Sequence, residues 1–313
     1  MDHKLVSVIC VCYNHSKYLE EALQSVFEQT YSHIQLIVVD DGSTDDSRVK
    51  LTALQNEKAF DLLLLEENIG YCKAFNKGLA MARGELIIDL AGDDRLMPDR
   101  VALGVEYLWP TTHGVQFGDV RYIDGLGNTI GTHYKRNSRA ELAEEVPHGN
   151  VYSELLRRYF ICAPSMMIKK EVLDQLGGYD EQLAYEDFDF WVRSSRSYTY
   201  QFMDAVLVEK RVLSNSLSKI QYTQNDSMMN STLKVCQKAL KLNRNRAEHE
   251  ALAVRLHYEI RQAIICHHYL IAKDLLQLLK HIEGNSKRFK FWNWLVRKQW
   301  NFKFLMPLIR PAR

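Results

Sequence analysis

Three places in the sequence bring carboxylates together where a strand ends or a helix begins. Ala91-Gly92-Asp93-Asp94 follows the largely apolar run 85–90, Asp40-Asp41-Gly42-Ser43 follows the apolar run 34–39, and Glu186-Asp187 opens a stretch holding Phe188, Phe190 and Trp191. Adjacent acids repel strongly and stay ionised only when solvated or bound to a cation. A hard divalent ion with oxygen ligands, Mg²⁺ or Mn²⁺, removes that repulsion and usually arrives with phosphate. A solvated surface turn is the alternative for any one such pair. For Glu186-Asp187 the chemistry on offer is general-base catalysis. The apolar ring neighbours and the like charge of Glu186 both act to raise the pKa of Asp187. The alternative there is a helix start, where acids are favoured by the helix dipole.

The elements that must present these residues can be read from hydrophobic periodicity. Residues 6–12 are a continuous apolar, β-branched run, the pattern of a strand buried on both faces. A helix over 17–29, a strand over 34–39, a helix over 45–54 and a strand over 62–65 follow. Next come a helix carrying Ala74, Phe75, Leu79 and Ala82 and a strand over 86–90. Four strand–helix alternations imply an α/β fold with a mostly parallel, doubly wound sheet. Such a sheet brings four polar turns to one edge: Tyr13-Asn14, Asp40 to Ser43, Asn68-Ile69-Gly70 and Gly92 to Asp94. The first turn has no G-x-G-x-x-G, which excludes the usual dinucleotide cradle, and there is no Walker lysine loop. Phosphate is then to be held by a metal on Asp93 and Asp94. Lys73 is within reach of a diphosphate or is a solvated helix lysine. Residues 115–124 alternate like a half-buried strand, 125–127 close a hairpin, and the polar stretch 136–148 reads as a mobile lid on the acceptor side.

Bulk properties narrow the class. With 313 residues, 46% hydrophobic and 25% charged, the chain is a globular protein with ample core. A net charge of +1 argues against nucleic acid as partner. The six cysteines lack paired spacing; Cys10 and Cys12 share one strand face and point to the core. This fits a reduced, cytoplasmic location. No signal peptide and no apolar run of roughly 20 residues is visible. From about 222 the pattern is helical. Residues 251–282 read as a helical hairpin, with His267-His268 structural at its turn. Residues 287–313 hold eight Lys or Arg and no acid, interleaved with aromatic residues. That composition suits an anionic membrane interface; packing on the rest of the chain, a homodimer contact and disorder are its other uses.

Residues 8–29, 37–45 (IVVDDGSTD), Asn68-Ile69-Gly70 with Asn76-Lys77-Gly78, Gly84-Glu85 and Gly92-Asp93-Asp94 stand in the order seen in family 2 glycosyltransferases of the GT-A fold. Residues 163–168, 176–180 (LGGYD) and 185–193 (YEDFDFWVR) match the acceptor half of the same domain, so the resemblance covers about 5–215. It implies a GT-A (Rossmann-like) catalytic domain over 1–220, with a nucleotide-sugar half (1–110) and an acceptor half (111–220), followed by a helical region (221–313). It implies inverting transfer from a nucleotide-sugar donor, most often a UDP-sugar, to a hydroxyl of a glycan or lipid-linked acceptor in cell-surface polysaccharide, lipopolysaccharide or capsule synthesis. The location implied is cytoplasmic and peripheral on the inner face of the plasma membrane. It assigns Asp41 to the uracil edge, Asp93 near the ribose, Asp94 (with Asp93) to Mn²⁺ or Mg²⁺, and Asp187 as base. Tyr13, Asn14, Asp40, Lys73, Glu186 and Trp191 are the further donor-side candidates. Two departures stand out: Ala91 replaces the first acid of D-x-D, and Leu213 or Ser214 stands where relatives carry a histidine after Arg211. The missing acid motivates a competing class, a catalytically inactive nucleotide-sugar-binding member that acts as an assembly partner. A nucleotidyltransferase would want a glycine-rich first turn, which is absent.

Overall fold

The computed structural model describes residues 4–213, 222 and 228–299; Ser214 and the tail beyond 299, on which two of the expectations fall, lie outside the described residues. The chain forms two compact units. One comprises Met1–Val151, Phe160–Glu181 and Ser197–Leu213, the other Tyr152–Tyr159, Gln182–Arg196 and Ser214–Arg313.

The first unit is built on a nine-stranded sheet. Its N-terminal part alternates β1 (Val6–Cys12), α1 (Leu19–Phe27), β2 (Ile34–Asp40), α2 (Ser47–Glu57), β3 (Asp61–Leu64), α3 (Tyr71–Met81) and β4 (Leu86–Ala91). These four strands are parallel in the order β3-β2-β1-β4. Every residue of β1 is buried, as its unbroken apolar run requires. Cys10 and Cys12 lie in that core, and burial pushes the Cys12 thiol up to about 11. Winding reverses beside β1: β2 lies on one side of it and β4 on the other. That reversal opens a crevice at the carboxyl ends of β1 and β4, where open α/β sheets take their ligands. Backbone bonds staple the strand ends together. Asp41 N–H donates to Cys12 O (2.8 Å), Gly92 N–H to Val11 O (2.9 Å) and Leu65 N–H to Asp40 O (2.9 Å).

The remaining elements of this unit are β5 (Arg95–Leu96), α4 (Arg100–Leu108), β6 (Val115–Ile123), β7 (Thr129–Thr132) and, after α5 (Tyr152–Arg157) of the second unit, β8 (Met167–Lys169), α6 (Lys170–Leu176) and β9 (Tyr200–Arg211). The sheet continues β4-β8-β6-β9-β5, and here only β6 and β9 run parallel. The hairpin at 125–127 forms between β6 and β7. The half-buried alternation expected for 115–124 is not what β6 shows: its first six residues are all buried. It lies between β8 and β9, and its polar members are matched internally, Gln116 by Arg100 (3.2 Å) and Asp119 by Arg136 (2.9 Å). The same Arg136 reaches Asp204 (2.5 Å), so the stretch read as a lid is tied to the sheet at its start.

α3 is fixed to the unit by a polar clamp. Asp89 on β4 accepts from the phenols of Tyr71 (2.6 Å) and Tyr179 (2.9 Å), and the Tyr179 ring stacks on Phe75 at 4.3 Å. Asn76 grips the Tyr179 backbone on both sides, accepting from its N–H and donating to its carbonyl, each at 2.9 Å. Burial pushes the Asp89 carboxyl up to about 6, although both phenols pull the other way.

The second unit is helical: α5, α7 (Asp187–Ser194), α8 (Met228–Leu242), α9 (Arg246–Ile265), α10 (Tyr269–Glu283) and α11 (Lys287–Lys298). Asn245 caps α9 by accepting from Glu248 N–H. α9 and α10 form the expected hairpin. His268 N–H donates to Ala263 O and His267 N–H to Ile264 O, with His267 left-handed at φ 63°, the pattern that closes a helix end. The two histidines are structural there. No helix among the described residues is long and apolar enough to cross a membrane.

Two outcomes are expected. Gly42 has φ 71°, and a Cβ there would lie 2.3 Å from the Glu67 carbonyl carbon and 2.5 Å from Asn68 N. Gly42→Ala should therefore cost roughly 2–4 kcal/mol in urea unfolding, strain and clash combined; a loss below about 0.5 kcal/mol, the level of a neutral surface change, contradicts this geometry. Asp89 has its folded pKa raised above the unfolded value of about 3.9. Its contribution is thus fully present below about pH 4 and is lost as pH rises through about 6. Asp89→Asn should flatten that part of the stability–pH curve, as read by thermal melts from pH 4 to 7.

Candidate functional site

The crevice turns are locked to one another by side chains. Asn14 adopts the left-handed region (φ 57°), which asparagine tolerates. Its side-chain oxygen accepts from Thr44 N–H (2.8 Å) and Asp45 N–H (3.3 Å), while its own N–H donates to Ser43 Oγ (2.9 Å). Ser16 N–H donates to Asp45 (3.0 Å). Asn14 thus serves as a joint between the first two turns, and Tyr13 beside it is exposed.

Asp40 and Asp41 are both buried. Asp40 Oδ1 accepts from Ser43 N–H (3.0 Å) and lies 3.9 Å from Arg48 Nε; its Oδ2 is buried with no hydrogen-bond partner. Asp41 faces the amino end of α3, one oxygen accepting from Ile69 N–H (2.8 Å) and the other from Gly70 N–H (3.1 Å). Burial raises its pKa even so, helped by the charge of Asp40. Lys73, in the first turn of α3, is exposed.

Asp93 and Asp94 occupy the turn after β4. Asp94 is 2% exposed, and its Oδ1 accepts the backbone N–H of Arg211 (2.8 Å). Burial first, then the negative charge of Asp93, pushes its pKa up to about 8 against the pull of Lys210 and Arg211. The Arg211 guanidinium is committed elsewhere. It donates to the carbonyls of Asp93 (3.0 Å) and Asp124 (3.1 Å), pairs with Glu21 (2.8 Å) and lies 4.3 Å over the Tyr18 ring. Asp93 keeps its carboxylate on the more open side of the turn, 3.9 Å from His15 Nδ1, which is buried and has no hydrogen-bond partner.

This arrangement fits a divalent cation. It offers two adjacent acids, of which Asp94 has its ionised form disfavoured by burial, with the Arg211 guanidinium bonded to other groups and an unpartnered nitrogen, His15 Nδ1, beside Asp93. Among the described residues no three His, Cys, Asp or Glu side chains converge as a full ligand set. A cation here would take few protein ligands and complete its shell with phosphate and water, the habit of Mg²⁺ and Mn²⁺ at phosphate-binding sites.

In the second unit, Asp187 is the first residue of α7, and its Oδ1 accepts from Phe188 N–H (2.6 Å). Glu186 and Asp187 are half-buried. Asp189 is structural: it is buried and paired with Arg193 and Lys238, both at 2.6 Å. Trp191 requires a correction. At 1% exposure it is a core side chain, its ring 5.8 Å from that of Tyr159, and it has no surface to offer a donor. The ring belongs to the buried side of α7, with Phe188 and Phe190.

Sequence reasoning gave His15 no role, and it read Arg211 only as the residue before a missing histidine. A buried Asp–amide lock spanning 117 positions leaves no local signal.

Comparisons with known proteins give the family and the fold. The model of the family "Glycosyl transferase family 2" matches residues 7–177. An uncharacterized glycosyltransferase of Methanocaldococcus jannaschii is 30% identical over 232 residues, covering 70% of this chain and 76% of that protein. The putative teichuronic acid biosynthesis glycosyltransferase TuaG of Bacillus subtilis is 27% identical over 216 residues, 68% of this chain and 81% of its own length. Some relatives are much longer: the 28% identical match to an uncharacterized glycosyltransferase of Rickettsia conorii spans 220 residues, 69% of this chain but 35% of that protein. Among solved structures, residues 1–349 of Staphylococcus aureus TarS in complex with UDP-GlcNAc share the fold, with a TM-score of 0.70 at 18% identity over 94% of this chain and 88% of that one. The mannosyltransferase PcManGT of Pyrobaculum calidifontis, in complex with GDP-Man and Mn²⁺, does so with a TM-score of 0.57 at 17% identity, over 94% and 84%. With its parallel strands, its acid-bearing crevice and a family model that covers more than half its length, the chain belongs to glycosyltransferase family 2 and has the GT-A fold.

Proposed function

We propose that this chain moves a sugar from a nucleotide diphosphate donor, a UDP-sugar, to an acceptor hydroxyl with inversion at the anomeric carbon. The observation that carries this reading is the Asp93–Asp94 turn: paired acids at the switch point of a parallel sheet, one buried and pushed up to about 8. Asp93 and Asp94 would hold Mn²⁺ or Mg²⁺, which when bound offsets the charge that builds on a departing diphosphate. The Asp40–Asp41 turn, with Tyr13 and Asn14, takes the nucleoside end, and Lys73 lies on the diphosphate side. Asp187, with Glu186 beside it, accepts the proton of the acceptor hydroxyl. As that oxygen bonds to the anomeric carbon, the bond from this carbon to the diphosphate breaks, and the nucleoside diphosphate leaves with the electron pair. Support for donor and acceptor class comes from the relatives: TarS is bound to UDP-GlcNAc, PcManGT to GDP-Man and Mn²⁺, and TuaG is named for teichuronic acid synthesis. With these relatives in support, the proposed product is a cell-surface polysaccharide, made on a glycan or lipid-linked acceptor at the cytoplasmic side.

A membrane-facing role for the C-terminal region rests on α11. It carries Lys287, Arg288, Lys290, Arg297 and Lys298 and exposes Phe291 (54%) and Trp294 (44%). A cavity of about 470 Å³ lies between α9 and α11, lined by Val254, His257, Lys287, Arg288, Phe291 and Trp292. Cations beside solvent-facing aromatic rings match an anionic lipid interface. On this reading the enzyme is peripheral, held where a lipid-linked acceptor resides.

Asp187→Asn should keep the thermal stabilisation that UDP and Mn²⁺ give the wild type and slow transfer roughly 10²–10⁴-fold. Wild-type turnover in that variant would remove the base assignment. A wild-type chain that gains stability from UDP-sugar and Mn²⁺ yet neither transfers nor hydrolyses it would instead be a nucleotide-sugar-binding partner. Deleting residues 287–313 should weaken co-sedimentation with phosphatidylglycerol vesicles at least about tenfold at low salt, each surface cation being worth about 1 kcal/mol. Unchanged sedimentation would remove the membrane role.

A further inference from the structure

Ala91 leaves the cation turn without the acid that a D-x-D sequence would supply, and the structure places another ligating group beside the gap. His15 Nδ1 is buried and lacks a hydrogen-bond partner. It stands 3.9 Å from Asp93 Oδ1. That separation is too long for a hydrogen bond, and it is within the reach of two cation–ligand bonds of about 2.1 Å each. We propose that His15 is a protein ligand, through Nδ1, of the divalent cation held at Asp93, standing in for the acid absent at position 91; this rests on the metal-binding reading above.

The placement is a built one. His15 O accepts from Tyr18 N–H (2.9 Å) and Leu19 N–H (3.0 Å), which fixes its backbone at the start of α1. Its neighbours Asn14 and Ser16 are both bonded to the 43–45 turn. On the opposite side, Gly92 leaves room for the ring: a Cβ there would lie 3.0 Å from His15 Nδ1 and 3.2 Å from Cys12 Cβ. The imidazole is therefore held against the acid turn from the far side of the switch point, between the ends of β1 and β4. A ligand set of one imidazole nitrogen with carboxylate, phosphate and water oxygens suits Mn²⁺ better than Mg²⁺, which demands oxygen. The substitution of histidine for acid thus carries a metal preference with it.

The test is Mn²⁺ binding by the full-length chain in the presence of UDP, followed by loss of the free-ion electron paramagnetic resonance signal, with spin-echo modulation of the bound ion. Wild type should show modulation from a directly bonded nitrogen. His15→Ala should lose that modulation and bind Mn²⁺ roughly tenfold or more weaker, with a smaller change for Mg²⁺. Ala91→Asp in the His15→Ala background should restore Mn²⁺ affinity without the nitrogen signal. Bound Mn²⁺ in the wild type with no nitrogen modulation overturns the His15 assignment and leaves the metal site standing. Failure of the wild type to bind Mn²⁺ at all overturns the metal reading itself. The wild-type spectrum decides even where His15→Ala fails to fold.

Discussion

Two carboxylates at the buried end of a strand set the terms for the rest of the site. Fixing Asp94 at 2% exposure beside Asp93 disfavours its charged form, and the fold does not cancel that cost with an opposing head group. Arg211 comes within reach but gives Asp94 only its backbone N–H. Its guanidinium is divided among two carbonyls, Glu21 and the face of Tyr18. Had that cation faced the two acids directly, they would form a satisfied ion pair with little demand for a metal. As built, Lys210 and Arg211 only partly offset the burial of Asp94 and the charge of Asp93, and the Asp94 carboxyl stays raised.

Much of what makes this chain resemble its family is architecture rather than chemistry. Asn14 joins two turns, and Asn76 grips the backbone of Tyr179. A Cβ on Gly78 would meet the Ile9 side chain at 2.6 Å, so glycine lets α3 lie close on β1. These residues are distributed along the sequence because they hold strand ends in register, and that register brings Asp40, His15 and Asp93 to one edge. A motif search therefore detects the frame with more certainty than the reacting groups. The departure at Ala91 shows the consequence: the frame tolerates loss of an acid when the packing around the turn is kept.

The fold was legible where burial is continuous and local. The strands at 6–12 and 34–39 and the helix at 45–54 are found as Val6–Cys12, Ile34–Asp40 and Ser47–Glu57. Apolar runs and helical spacing report burial directly. Legibility failed where burial depends on distant partners. β6 was misjudged because Gln116 and Asp119 look solvent-facing until Arg100 and Arg136 are brought to them. β8 has three residues, too few for any period. Trp191 was a donor-side candidate through the family motif, yet spacing alone does not say which side of α7 meets solvent. The acids of the crevice were identified from residue type and turn context, whereas Arg211, which bonds Asp94, and His15, which stands beside Asp93, lie in another strand and another turn.

The second unit shows the same principle with the sign of the charge reversed. Arg255 and Glu259 are one turn apart on α9, a spacing that on most helices marks an exposed pair. Here both are buried, 3.4 Å apart. Arg255 stacks 3.9 Å from the Tyr159 ring and donates to Leu156 O. Burial holds the Tyr159 and Tyr185 phenols well above their usual range, and the negative charge of Asp187 acts on both in the same direction. The Arg255 head group is held by Glu259 and by ring faces, among them that of Phe188 at 5.1 Å, so a spacing that reads as a surface pair marks a buried one.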